Sequence, residues 1–267
     1  MASMTVEPDL QQDHVGALVR RWRERRRLSQ QALSERCGVS TRHLSFIETG
    51  KSVPSPTMIG QLGHALDVPL RVQRRMFTAA GFVPSASEMP LDSPALAQVN
   101  EALELILAGH EPYPALVIDG GWDLVAANEA AYRLLTDLPA DLLEPPVNVV
   151  RLSLDPRGLA PRIVNLDEWR AGILGRIQHE HDASGDPRLG ALLADHPPPR
   201  HTAPPDIVLT VRFRMGDDVL SFLTTTTVFG TPRDVTVAEL AIEALYPADA
   251  GTRDQLMAAA RADSASR

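Results

Sequence analysis

Cysteine is all but absent from these 267 residues. Cys37 is the only one, which excludes an intrachain disulfide framework and fits a reducing compartment. No run of about 18 consecutive apolar residues occurs, so no membrane-spanning helix is expected. The polar, acidic start from Met1 to Gln12 lacks the basic head and apolar stretch of a secretory signal, and the expected location is cytoplasmic. Also missing are a GxSxG elbow, a Walker loop, a dinucleotide glycine pattern and an HExxH pair. His179 and His181, two apart, point to different sides of a helix, while His196 and His201 sit in a proline-rich loop. No catalytic residues, no metal site and no resident cofactor are therefore expected. Thr224 to Thr227 suit a strand with alternating faces.

What is present favours two domains. The chain is longer than one small core requires, and 44% hydrophobic against 22% charged residues suffices to bury a sizeable interior. Its net charge of -8 conceals an asymmetry. Residues 1–83 carry 12 Lys and Arg against 7 Asp and Glu, and the remainder carries 14 against 27. Only the N-terminal part suits a polyanion, although a solvated basic helix face would show the same excess.

Apolar spacing in the N-terminal part predicts five short helices. Val15, Leu18, Val19 and Trp22 form the stripe of the first, with an arginine-rich remainder. Ser29 caps the second, which stops near Gly38, and Ser40 caps the third, which buries Leu44 and Ile47. Ser55 followed by Pro56 opens a fourth helix burying Met58, Leu62 and Leu66, and a fifth runs from Leu70 to Ala80. Cys37 falls at an apolar helix position and reads as a small core residue. Helix, short glycine turn and helix is the arrangement that places a recognition helix in the major groove.

The segment LSQQALSERCGVSTRHLSFIETGKSVPS resembles the Cro and phage-repressor type of helix-turn-helix, the XRE family, over residues 14–83. That resemblance implies a double-stranded DNA operator as partner and assigns the DNA-facing residues. Gln30 would contact a phosphate or orient the recognition helix. Thr41, Arg42 and Ser45 are the candidates for base edges, with Ser40 and Lys51 flanking them. His43 and Phe46 would either meet a thymine methyl or pack against protein. Arg23 and Glu48 are expected to form a structural ion pair between the first and third helices.

After Gly81 the residues FVPSASEMPLDSP mark a linker, placed at 84–94. A helix from Pro94 to Ala108 then leads to two short strands, Ala115 to Ile118 and Trp122 to Ala126, and to a helix capped by Asn128. Leu166 to His179 reads as an amphipathic helix, and Ile207 to Phe213 with Val219 to Phe229 as a second antiparallel pair. The segments YPALVIDGGWDLVAANEAAYRLL, NLDEW and FGTPRDVTVAELAIEALYPAD resemble the MmyB-like ligand-binding domain of transcription regulators over residues 95–250. The fold expected is thus an all-α five-helix helix-turn-helix domain followed by an α+β PAS-like domain, an antiparallel sheet flanked by helices. Residues 1–13 are taken as a disordered polar N-terminus and 251–267 as a polar tail, helical in part and disordered at its end.

A small-molecule effector, apolar or fatty-acid-like, is what this resemblance implies. Leu134, Leu135, Leu152, Trp169, Ile173, Phe213 and Phe222 are candidate lining residues, each equally at home in an ordinary core, and Asn165 and Arg212 are candidates to meet a polar head group. Three function classes follow: a homodimeric regulator whose operator binding responds to ligand, a DNA-binding protein whose second domain only dimerises or recruits protein, and an enzyme with a DNA-binding head. The lack of a catalytic cluster weighs against the third.

Overall fold

The computed structural model describes residues 14–197 and 208–266, whose contacts fall into two units. The expectations for residues 1–13, for His201 and for a strand start at Ile207 lie outside the described residues.

The first unit reaches to Glu88 and takes in Arg233–Val235. It contains α1 (Val15–Arg25), α2 (Gln30–Cys37), α3 (Thr41–Glu48), α4 (Pro56–Ala65) and α5 (Leu70–Ala79). Serine hydroxyls start three of them: Ser29, Ser40 and Ser55 accept from the amides of Ala32, His43 and Met58 at 3.0, 3.2 and 3.3 Å. Gly38, at φ 65°, ends α2 in the left-handed conformation that glycine adopts without penalty. The core gathers Leu18, Val19, Leu33, Leu44, Ile47, Ile59 and Leu62, all buried. In α4 the buried role falls to Ile59, while Met58 stays half-buried against the cluster. Gly16 was not foreseen: a Cβ there would lie 1.8 Å from the carbonyl oxygen of Ile47, so α1 crosses α3 backbone against backbone.

The first part of the expected linker is tied into this unit. Glu88 pairs with Arg71 at 2.6 Å and Arg74 at 3.1 Å, and Ser87 bridges to Asp234.

The second unit comprises Met89–Pro232 and the chain from Thr236 onward. Its elements are α6 (Ala97–Gly109), β1 (Ala115–Ile118), β2 (Leu124–Ala127), α7 (Glu129–Leu134), α8 (Val149–Leu154), α9 (Leu166–Ser184), α10 (Pro187–Asp195), β3 (Thr210–Met215) and β4 (Asp218–Val228). The chain then forms α11 (Val235–Glu239), β5 (Ala241–Pro247) and α12 (Ala250–Ser266). The strands make one antiparallel sheet in the order β2-β1-β5-β4-β3, consistent with a PAS-like domain. Strand alternation divides the side chains between two faces. Ala115, Val117 and Ile242 meet Leu103 and Leu107 of α6, whereas Leu116, Ile118, Phe222 and Leu245 meet the helices of the other side.

Two expectations need correction here. Trp122 is not a strand residue: it occupies the hairpin turn at φ 68°, and β2 begins at Leu124. The polar tail is helical over more than a part, since α12 runs through Ser266, and it is anchored. The buried Thr252 hydroxyl accepts from the Ser221 amide at 2.9 Å, and Leu256 packs on the apolar cluster beneath the sheet.

Candidate functional site

The exposed side of α3 begins at its cap. Ser40 uses its hydroxyl on the His43 amide, and Thr41, exposed, holds its own hydroxyl 3.1 Å from that of buried Ser34. Arg42 is exposed, His43 and Ser45 are half-buried, and the Ser45 carbonyl accepts from the Thr49 hydroxyl at 2.7 Å. The Arg42 guanidinium lies 5.4 Å from the centre of the half-buried Phe46 ring, and the exposed Lys51 ammonium lies 5.8 Å from it.

Behind this face, Glu48 is the hub. Its side chain, 2% exposed, accepts from Arg23 Nε at 2.6 Å and from a second guanidinium nitrogen at 3.0 Å. Gln30 Nε2 donates to the same carboxylate at 2.8 Å, and Arg23 also donates to the Leu28 carbonyl at 2.8 Å. The hydrogen bonds with Glu48 hold the Arg23 guanidinium above its ordinary pKa. Gln30 is thereby tied to the last residue of α3. Cys37 packs against the same core, and burial pushes its thiol upward, away from reactivity.

In the second unit the proposed lining residues divide. Leu134, Leu152, Phe213 and Phe222 are buried in one apolar cluster with Leu135 packed against it, joined by Ile163, Val211, Leu220 and Leu245. Ile173 instead belongs to a neighbouring cluster with Trp122, Val150 and Ile177. Trp169 touches both, and its indole nitrogen lies 3.4 Å from the Ser153 hydroxyl, which is buried and donates to the Val150 carbonyl.

The two polar candidates stand elsewhere. Asn165 is buried with its carboxamide fully engaged: it donates to the Thr210 carbonyl at 2.9 Å and to Glu168 at 3.0 Å, and accepts from the Arg212 amide at 3.0 Å. It clips the start of α9 to β3. Arg212 is exposed, because strand alternation puts it on the face opposite Val211 and Phe213. Neither side chain offers a free polar group to a ligand held in the cluster.

A model of the MmyB-like transcription regulator ligand binding domain matches residues 99–259, and a helix-turn-helix domain model matches residues 14–76. The chain belongs to the MmyB-like transcription regulators. No curated protein sequence matches it. Among solved structures it is similar to one described as an RNA-binding light-oxygen-voltage receptor, at 15% identity over 93% of this chain and 64% of that one. The TM-score is 0.28, too low to carry an argument about fold or function.

Two features of this MmyB-like domain escaped the sequence reading. Asn128 is more than a helix cap: besides accepting from the Ala131 and Ala115 amides, each at 3.0 Å, it donates to the Tyr113 and Leu107 carbonyls. Beside the apolar clusters, Arg176 of α9 grips the buried Glu243 of β5 at 2.7 and 3.0 Å and stacks 4.6 Å from the Trp122 ring centre. Burial works against that guanidinium's charge, but hydrogen bonding and attraction from Glu243 and Glu180 outweigh it and raise its pKa. A glutamate inside the apolar run AIEALY was the available signal. Among the described residues no three His, Cys, Asp or Glu side chains gather as a metal ion would need, and no helix is long and apolar enough to cross a membrane.

Proposed function

We propose that this MmyB-like regulator binds a DNA operator as a homodimer and that an apolar, fatty-acid-like molecule held against the inner face of its sheet changes that affinity. Its α3 would enter the major groove with Arg42 on a guanine edge, Thr41 and Ser45 on neighbouring bases, and Lys51 on the backbone. Two heads related by a two-fold axis would read half-sites about 34 Å apart, since a single head makes a small interface. The observation that carries the ligand half is the cluster around Leu134, Leu152, Phe213 and Phe222 with Trp169 at its margin, lying within the residues that match a ligand-binding domain. Charged head-group partners are not part of the proposal, because Asn165 is engaged and Arg212 faces away. Enzymatic turnover has no support in either matched family.

A second reading, an interaction domain without a small ligand, draws on Leu105 and Ile106 of α6, which are 74% and 42% exposed. Native mass spectrometry of freshly purified protein, followed by organic extraction, separates the two. A stoichiometric lipid-like adduct supports the sensor. An adduct-free dimer that no fatty acid stabilises against heat supports the interaction domain.

A further inference from the structure

We infer that Phe46 is a positioning residue for DNA reading: its ring holds Arg42 and Lys51, the chain's only lysine, in the places from which they meet a duplex. The inference rests on α3 being the DNA-reading helix and adds how its cations are organised.

Three observations converge on the ring. Arg42 stands one helical turn before Phe46, so both project from the same face of α3, and the guanidinium settles 5.4 Å from the ring centre. Lys51 arrives from the other direction. Gly50, at φ 74°, closes α3 in a Schellman turn in which the Lys51 amide donates to the Phe46 carbonyl at 2.8 Å and the Gly50 amide to the Ile47 carbonyl at 3.0 Å. That turn usually carries an apolar contact between the two residues now occupied by Phe46 and Lys51; here a cation meets a ring instead, 5.8 Å apart. Finally, Phe46 lies outside the apolar cluster that forms the head's core. Half-buried at the edge of the head, its ring has the two cations within 6 Å of its centre. Among the described residues no carboxylate pairs with Arg42 or Lys51, so both charges are available to an anion.

The physical effect is preorganisation. Arg and Lys side chains lose rotamer freedom when they bind DNA, and an aromatic shelf that restricts them beforehand lowers that loss. Neither cation gives up its charge or its donors to the ring, so both remain able to bond a base or a phosphate.

The single lysine gives a direct test. Reductive ¹³C-methylation of the full-length protein labels Lys51 together with the terminal amine, which titrates at lower pH. The Lys51 methyl signal is expected upfield of free dimethyl-lysine, returning to that position in Phe46→Leu and staying upfield in Phe46→Tyr. Binding is then measured to duplexes selected from a randomised library. Phe46→Leu is expected to weaken affinity by about tenfold, on the scale of two exposed cation–π contacts. Adding it to Arg42→Ala should cost less than the product of the two separate losses. A wild-type Lys51 signal at the free position overturns the inference even if Phe46→Leu fails to fold. So does full multiplicativity with Arg42→Ala combined with altered preference at one base pair, the signature of a ring that reads a thymine methyl itself. Wild-type protein that selects no duplex at all would instead refute α3 as the DNA reader.

Discussion

Glu48 sits at the end of the recognition helix yet faces inward, and what it does there is structural. Its carboxylate joins α1 through Arg23 and α2 through Gln30, so three of the first unit's five helices, α1, α2 and α3, meet on one buried charge. Breaking such a pair leaves a buried ion unmatched, so Glu48→Ala should lower stability by about 3–5 kcal/mol, read from urea unfolding. The Arg23–Glu48 pairing was implied by the resemblance to the XRE helix-turn-helix, and the bond from Gln30 to Glu48 was not, since a motif does not show where an amide turns. Asn165 and Arg212 make the same point in the other domain. Both looked polar and well placed; only strand alternation and three short hydrogen bonds reveal that one is a clip and the other faces outward. Asn165→Leu strands the Arg212 amide and Thr210 carbonyl and should cost about 1–3 kcal/mol, whereas Arg212→Ala should stay within about 0.5 kcal/mol by the same unfolding measurement.

At the scale of elements, helices with serine caps and glycine stops were readable because those signals are local. The caps of α2, α3 and α4 fall on the serines their sequences announce. β5 was not readable, although it is the middle strand of the sheet. The short helix α11 precedes it directly, and the strand that follows carries Glu243 inward to meet Arg176. Strand order depends on non-local pairing, which no window of sequence encodes. Gly16 likewise carries no local signal, since what forbids a side chain is a carbonyl 31 positions away. Gly16→Ala must push α1 off α3 and should cost at least about 1–3 kcal/mol, visible as a lowered Tm of the first unit and weakened DNA binding.

For the whole molecule, charge and linkage set the behaviour. The basic excess lies in residues 1–83 and the acidic excess in the remainder, so under the proposed function DNA affinity should fall steeply with salt. If about six phosphates are neutralised, the loss between about 50 and 200 mM is on the order of 10³-fold, whereas a slope near zero would contradict binding through the basic part. If ligand and operator bind one molecule as proposed, any effect of ligand on DNA affinity must equal the effect of DNA on ligand affinity. The decisive measurement is the Kd of the full-length, delipidated protein for its selected duplex across a titration of a long-chain fatty acid, paired with fatty-acid affinity with and without that duplex. A shift of about 5- to 150-fold, equal in both directions and abolished when Phe222 is changed to Trp to fill the cluster, is the expected result. Fatty acid that leaves both affinities unchanged would contradict the sensor and leave the second domain as an interaction module.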